Sequence, residues 1–206
     1  MKKVKLFTLI LLLTAFTAGC AAESSADSGG IPTQEQLQSA TSQLSTEPED
    51  MEFSLNGEIF QYPIDIDTLL GAGWTIDKSI LSQIKVIPGH TTTTKIPLKK
   101  KKDSEYAAGE CYFTVTNNID MDVEIGHLAT DTLEFDESNH ITLILPQGIT
   151  WDSTFEDVLD AYQPAEDHYT DLDNYLEIII SNLDNNTHMQ MTFDLETRKL
   201  SHIKFY

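Results

Sequence analysis

Three segments near the C-terminal end alternate apolar and polar residues, and this pattern constrains the fold more than any other feature. They span residues 175–182, 188–193 and 200–206, with turn residues at 184–186 and 196–198 between them. Alternation with period two is typical of β-strands that are buried on one face only. Because the connections are short, the three segments are predicted to form an antiparallel sheet.

The alternation also predicts which side chains of this sheet meet the core. The apolar core face comprises Leu176, Ile178, Ile180, Met189, Met191, Phe193, Ile203 and Phe205. The opposite face comprises Tyr175, Glu177, Ile179, His188, Gln190, Thr192, His202, Lys204 and Tyr206. Tyrosine is enriched at protein interfaces, so this second face is predicted to bind a partner, with Tyr175 and Tyr206 as anchors. The alternative is that another part of the chain covers it.

A short helix is predicted immediately before this sheet, at residues 153–162. Its apolar positions recur at the spacing of one helical face and are Phe155, Val158, Leu159 and Tyr162. Asp152 or Ser153 is expected to cap the N-terminus, and Pro164 ends the helix. The apolar side of this helix is therefore expected to pack on the core face of the sheet.

Residues 51–140 show a similar succession of short apolar runs and turns. Asn56-Gly57 is a strong signal for a two-residue hairpin turn, and residues 65–72 are predicted to form a short helix. Further β-like runs lie at 84–87, 92–98, 106–116, 123–128 and 132–135. The chain is therefore predicted to be a β-rich α+β protein. It is expected to comprise two small units, residues 51–140 and 141–206, each with a short helix packed on an antiparallel sheet.

Residues 148–206 also carry a short set of motif residues. These are Gly148-Ile149-Thr150, Asp157-Val158, Tyr162-Gln163-Pro164 and the terminal Phe205-Tyr206. On these residues the stretch resembles the α+β module of the small-protein-A/outer-membrane-lipoprotein-A lipoproteins and of the β-lactamase-inhibitor protein. The family has glycine where this chain has Gln163, so the turn there is expected to differ. The resemblance implies an α+β fold and a protein-binding role, and residues 51–140 resemble part of uncharacterised Gram-positive lipoproteins.

The first twenty residues, MKKVKLFTLILLLTAFTAGC, have the layout of an export signal. Three lysines precede an apolar run of eleven residues at 6–16, which is too short to span a bilayer. Ala18 and Gly19 before Cys20 resemble the lipobox of bacterial lipoproteins, although Thr17 replaces the usual Leu, Val or Ile. The resemblance implies a signal peptide at residues 1–19, lipidation of Cys20, and attachment to the extracytoplasmic face of the cell membrane.

Residues 20–50 are rich in Ser, Ala, Thr, Gln and Glu and contain few apolar residues. Such a composition offers little apolar surface to offset the entropy of ordering. A disordered linker is therefore predicted after the lipidated cysteine. A flexible coil of about 30 residues would reach on the order of 30 Å.

The charge of the processed chain excludes one class of partner. Removal of the three signal-peptide lysines leaves 10 basic and 33 acidic side chains, a net charge of −23. Because nucleic-acid binding depends on neutralising phosphates, DNA and RNA are excluded as partners. The lysine run at 99–102 is predicted to form an exposed turn, either solvated or in contact with wall polymer, anionic lipid or an acidic partner.

The remaining residues indicate neither a cofactor nor a metal site. Cys111 is the one cysteine left after lipidation, and its alternating apolar neighbours predict a core position. The acidic runs at 120–124 and 171–173 lack the glycine and the final glutamate of a calcium loop. No metal, cofactor or catalytic motif is predicted.

The expected function is therefore a non-catalytic, lipid-anchored binding or assembly module that contacts a cell-envelope protein. Two alternatives remain open from the sequence. One is an envelope hydrolase that uses carboxylates, whose spacing in space no sequence pattern reveals. The other is a binder of small solutes or wall fragments.

Overall fold

The architecture is a large antiparallel sheet with short helices and a second small sheet on one of its faces. A computed structural model describes residues 30–101, 106 and 108–206. Its helices are α1 (Gln34–Thr41), α2 (Ile66–Gly71), α3 (Lys78–Ile84) and α4 (Phe155–Tyr162). Its strands are β1 (Glu52–Leu55), β2 (Glu58–Gln61), β3 (Val86–Ile87), β4 (Thr91–Thr92), β5 (Ile96–Lys100), β6 (Gly109–Thr114), β7 (Thr116–Asn117), β8 (Val123–Glu124), β9 (Thr132–Asp136), β10 (Leu143–Ile144), β11 (Tyr169–Leu172), β12 (Tyr175–Asn182), β13 (Thr187–Phe193) and β14 (Leu200–Phe205).

Seven strands form the large sheet, in the order β11-β12-β13-β14-β9-β6-β5, with every pair antiparallel. A smaller sheet has the order β10-β1-β2, and two short pairs join β3 to β8 and β4 to β7. The predicted β-rich α+β class is confirmed. The hairpin turn is also as expected, since Asn56 and Gly57 both have positive φ, at 49° and 79°, as a two-residue primed turn requires.

A cluster of phenylalanines packs the small sheet against the large one. The ring centroid of Phe53 in β1 lies 4.9 Å from that of Phe205 in β14 and 5.5 Å from that of Phe135 in β9. All three side chains are fully buried. Burying a side chain of this size contributes roughly 1.5–3 kcal/mol relative to leaving it exposed. The cluster therefore fixes both sheets around one continuous core.

The structure differs from the predicted division into two units. Strand β14 pairs with β9, where Ile203 faces Phe135 and Phe205 faces Leu133, so the large sheet runs across residue 140. The three C-terminal strands would otherwise leave the free edge of β14 with unpaired backbone groups, and β9 satisfies them. Strand β11, which the sequence did not predict, extends the other end of the sheet by pairing with β12.

Part of the predicted disordered linker is also folded. Residues 34–41 form α1, which begins with a capping box between Thr33 and Gln36. Ala40 and Leu44 are buried against Ile144 of β10. The apolar stripe of this segment is too short to be recognised alone, because Ile144 supplies the remainder of the cluster from a distant strand. Residues 20–29 lie outside the described residues.

Two local predictions need correction. Helix α4 is capped by Thr154 rather than by Asp152 or Ser153: Thr154 Oγ1 accepts from the Asp157 N–H at 3.2 Å, and the Asp157 carboxylate accepts from the Thr154 N–H at 2.8 Å. Lys99 and Lys100 belong to β5 rather than to a turn. They alternate between the two faces of the sheet, since Lys99 pairs with Glu110 at 2.9 Å while Lys100 lies over the Trp74 ring.

Candidate functional site

The face of the seven-stranded sheet that points away from the core carries the candidate site. The predicted core set is buried, with each of its eight side chains at 4% exposure or less. The predicted binding set lies on the other face, where Tyr175 and Tyr206 are 39% and 38% exposed. The remaining members, Ile179, His188, Gln190, Thr192, His202 and Lys204, are partly exposed, while Glu177 is 8% exposed. We call this surface, with Lys95, Tyr112, Glu134 and Asp136 beside it, the open sheet face.

One end of the open sheet face is organised around the carboxylate of Glu177. The Tyr175 hydroxyl and the Gln190 amide both donate to Glu177 Oε2, and the Gln190 amide also lies 3.4 Å from the Tyr175 oxygen. The hydrogen bond to Glu177 raises the pKa of Tyr175, with a smaller contribution from burial. Tyr175 therefore stays a neutral hydroxyl with a fixed orientation.

Tyr206 is held in the same region by contacts on two sides. Its ring lies 5.2 Å from that of His188, and the two residues exchange backbone hydrogen bonds at 2.8 and 3.0 Å. Lys204 Nζ sits 5.6 Å from the centre of the Tyr206 ring, within the range of a cation–π contact. Burial, and then the charge of Glu177, raise the pKa of Tyr206. Both tyrosines are thus restrained by contacts within the chain.

The middle of the open sheet face is organised around a second carboxylate, Glu134. Lys95 pairs with Glu134 Oε2, while His202 Nε2 and Lys204 Nζ lie 3.7 and 3.8 Å from its oxygens. The side chain of Glu134 is only 13% exposed. Lys95 also lies 5.3 Å from the centre of the Tyr112 ring. Lys95, Tyr112, Glu134 and His202 line a depression of about 250 Å³. The region carries both signs of charge in close contact.

His202 is a partly buried titratable group in this region. Burial lowers its pKa, and the positive charge of Lys95 acts in the same direction. Glu134 and Asp136 raise the pKa in opposition, but the net change is a decrease. His202 is therefore neutral at pH 7 and offers a hydrogen-bonding nitrogen rather than a cation.

Sequence reasoning missed the residues that β6 and β9 add to the site. Tyr112 and Glu134 are cross-strand partners, and Glu134 in turn faces Lys204 of β14. A signal was present, because Leu133 and Phe135 alternate with Glu134 in the same period-two pattern. The pairing of β9 with β14 spans too many residues for that pattern to reveal it.

The side chains with the greatest potential reactivity are placed as follows. Cys111 is buried in the core, where desolvation raises the pKa of its thiol, so it is not a nucleophile at neutral pH. Within residues 30–101, 106 and 108–206, no group of three or more metal-ligating side chains converges. The carboxylates of Glu134 and Glu177 are engaged with lysine, tyrosine and glutamine side chains.

Searches of protein-family models, curated proteins and solved structures found no match to this chain. The resemblance to lipoprotein modules described above therefore stays a prediction. No helix among the described residues is long and apolar enough to cross a membrane. Cys20, the predicted lipidation site, lies outside the part of the chain that the structure describes.

Proposed function

We propose that this chain is a lipid-anchored, extracytoplasmic binding module that docks a cell-envelope protein on its open sheet face and performs no catalysis. The observation that carries the proposal is the pair Tyr175 and Tyr206. Both side chains are more than one-third exposed, and both are held in place by hydrogen-bonding or ring contacts.

The two tyrosines favour binding because contacts within the chain already hold them in place, an effect known as preorganisation. A side chain that is immobilised on binding costs roughly 0.5–1.5 kcal/mol in lost rotamer freedom. Tyr175 is already bonded to Glu177, and Tyr206 already packs on His188, so much of this cost is absent when a partner docks. Rigid aromatic anchors of this kind dominate the binding energy of many interfaces.

The export signal and Cys20 support the proposed location. A lipid on Cys20 would hold the folded body at the outer surface of the membrane, where its partner would be another envelope protein. The negative charge of the processed chain opposes contact with anionic headgroups. We therefore assign attachment to the lipid and partner recognition to the open sheet face.

Site-specific photo-cross-linking in the native envelope tests this proposal. A photoreactive side chain placed at Ile179, which lies opposite Gln190 on the open sheet face, should give one discrete cross-linked protein. The matched control places the same group at Leu183, an 86% exposed residue in the turn after β12. Replacing Tyr175 and Tyr206 by Ala should abolish the Ile179 adduct and leave the thermal midpoint nearly unchanged. Equal adducts from both positions, or an adduct that survives the double replacement, would contradict the proposed docking surface.

A further inference from the structure

The large sheet ends in β5 on one side and in β11 on the other, and the β5 edge is blocked. The backbone N–H and C=O of Lys99 in β5 are hydrogen-bonded to Thr75 at 2.9 and 2.8 Å. Pro97 lies two residues earlier, on the same edge, and has no N–H to donate. Proline and occupied backbone groups prevent another chain from pairing with a sheet edge. The β5 edge is therefore closed to an added strand.

The backbone of β11 is arranged differently. Leu172 lies opposite Tyr175 of β12 across a two-residue turn. Such a turn joins a pair that exchanges hydrogen bonds, and bonded and non-bonded pairs alternate along an antiparallel ladder. Thr170 and Leu172 are therefore bonded to β12, whereas the N–H and C=O groups of Tyr169 and Asp171 point away from it. Among residues 30–101, 106 and 108–206, no hydrogen bond is made to these outward groups.

The side chains beside these backbone groups are accessible. Leu172 is 59% exposed and shares its side of the sheet with Tyr175. Asp171 lies on the opposite side, and its carboxylate remains 49% exposed although it pairs with Arg198 at 3.1 Å. All residues from 171 to 175 are exposed. A strand added here would bury an aliphatic side chain on one side of the sheet and meet a carboxylate on the other.

The local charge indicates which kind of segment fits. Residues 165–175 contain four carboxylates and neither lysine nor arginine. Arg198 contacts Asp171 but is shared with Glu156, so the charge at this edge stays negative. Pairing with β11 of a second copy would bring two such acidic segments together, and like charges on adjacent strands are destabilising. A basic segment of another protein has the complementary charge.

We propose that the edge formed by Tyr169–Leu172, the β11 edge, accepts an extended segment of a partner protein as an eighth strand of the sheet. The segment alternates apolar side chains, which contact Leu172, with lysine or arginine side chains, which face Asp171. In this mode of recognition the backbone hydrogen bonds provide affinity and the alternate side chains provide specificity. The proposal goes beyond docking on the open sheet face, because it assigns binding to outward backbone groups of the sheet edge.

The test uses the full chain in detergent micelles and, as the probe, a short capped peptide in which valine and lysine alternate. In the free chain the Asp171 N–H should exchange with solvent quickly, whereas the Thr170 N–H should exchange slowly because it is bonded to β12. Saturating peptide should slow the exchange at Asp171 by roughly 10-fold or more and leave Thr170 slow. Amide hydrogen exchange followed by NMR measures both.

Two control peptides separate strand pairing from attraction between opposite charges. A peptide with methylated backbone nitrogens keeps the side chains and the charge but cannot donate to the edge. It should bind roughly 10-fold or more weakly, the effect of two lost hydrogen bonds at roughly 3–10-fold each. A peptide with glutamate in place of lysine should give no protection at Asp171, because it meets the carboxylates of the edge with like charge.

A matched pair of variants tests the apolar contact. Leu172→Ser should weaken binding of the valine–lysine peptide by roughly 3–10-fold, because part of the buried apolar area is lost. Both the wild-type and the variant side chain are exposed in the free chain, so the fold should be unaffected. Leu183→Ser is the control, since Leu183 is 86% exposed in the turn at the other end of β12. It should leave the affinity unchanged.

Three results would overturn the proposal. The first is equal binding of the methylated and unmethylated peptides, which would reduce the interaction to charge alone. The second is an Asp171 N–H that already exchanges slowly in the free chain. In a monomer this would mean that the chain closes its own edge, and in a dimer that a second copy occupies it. The third is equal loss of affinity in Leu172→Ser and Leu183→Ser. Because every readout concerns β11, these results are independent of the cross-linking experiment at Ile179.

Discussion

Ile203 in β14 lies directly opposite Phe135 in β9, and this pair joins the C-terminal strands to the preceding part of the chain in one sheet. Phe135 also lies 5.5 Å, ring to ring, from Phe53 of the small sheet. A single side chain thus links both sheets and both sides of residue 140. The fold is therefore expected to unfold as one cooperative unit.

The first prediction follows from this junction. Phe135→Ala should destabilise the protein by about 3–5 kcal/mol, because it removes a fully buried ring and leaves a cavity between the sheets. Urea denaturation followed by tryptophan fluorescence measures the change, since Trp74 and Trp151 are both buried. Leu183→Ala, at an exposed turn, is the control and should have little effect. Two separate transitions in the wild-type chain would contradict a shared core.

The second prediction concerns the cap of α4. Hydrogen bonds from Thr154 to the ionised carboxylate lower the pKa of Asp157, the backbone N–H contributing most. The carboxylate therefore stabilises the fold above its unfolded pKa of about 3.9, and this contribution is lost as pH falls through the lower folded value. Thr154→Ala should raise the pKa of Asp157 toward its ordinary value and destabilise the protein by about 1 kcal/mol. Carboxyl NMR titration and urea denaturation provide the two measurements.

A second variant distinguishes the observed cap, Thr154, from the predicted cap at Ser153. Ser153 Oγ accepts from the Thr150 N–H rather than from the helix, so Ser153→Ala should leave the pKa of Asp157 unchanged. If Ser153→Ala raises that pKa and Thr154→Ala does not, the helix begins where the sequence placed it.

The third prediction concerns His202. Burial lowers its pKa in the folded state, so the unfolded chain binds its proton more readily. The contribution of His202 to the stability of the fold is therefore complete above the unfolded pKa of about 6.5. It decreases as pH falls below that value. His202→Gln should make stability less dependent on pH between 7.5 and 5.5. His127→Gln, at an exposed histidine, is the control, and an identical pH dependence in both variants would refute the assignment.

The fourth prediction concerns the anchor. Cys20→Ser should abolish incorporation of labelled fatty acid and leave uncleaved or released protein, because the thiol that carries the lipid is missing. Cys111→Ala keeps that thiol and removes the buried one, so it should be labelled normally. Membrane retention and labelling that persist in Cys20→Ser would show that the anchor is elsewhere.

The features that were predicted best from the sequence are those that depend on the local periodicity of apolar residues. The faces of β12, β13 and β14 follow directly from period two, so Met191 was assigned to the core and Gln190 to the surface. Helix α4 was found for the same reason, since Val158 and Tyr162 lie on one helical face. By contrast, α3 was not predicted: it is only seven residues long, and its apolar residues Ile80, Leu81 and Ile84 are only partly buried. Strand β11 is short and mostly polar, so its pairing with β12 could not be inferred.

Only the part of the candidate site that lies on β12, β13 and β14 could be predicted from the sequence. Tyr175, Gln190 and Tyr206 come from consecutive strands, whose neighbours are fixed by short turns. Glu134 reaches the same surface through a pairing between residues some seventy positions apart, which depends on the packing of the whole core. Sequence periodicity reports the face on which a side chain lies but not its cross-strand neighbour.

The docking of α1 on Ile144 also limits where the molecule can act. The described structure begins at Gly30, and nine residues of the sequence separate Gly30 from Cys20. Nine residues span at most about 30 Å, whereas a linker of thirty would extend to about 100 Å. If Cys20 carries the lipid, this short connection keeps the folded part of the chain in the layer of the envelope next to the bilayer. A partner must then expose its epitope within that layer, so membrane-proximal domains are the ones to test first.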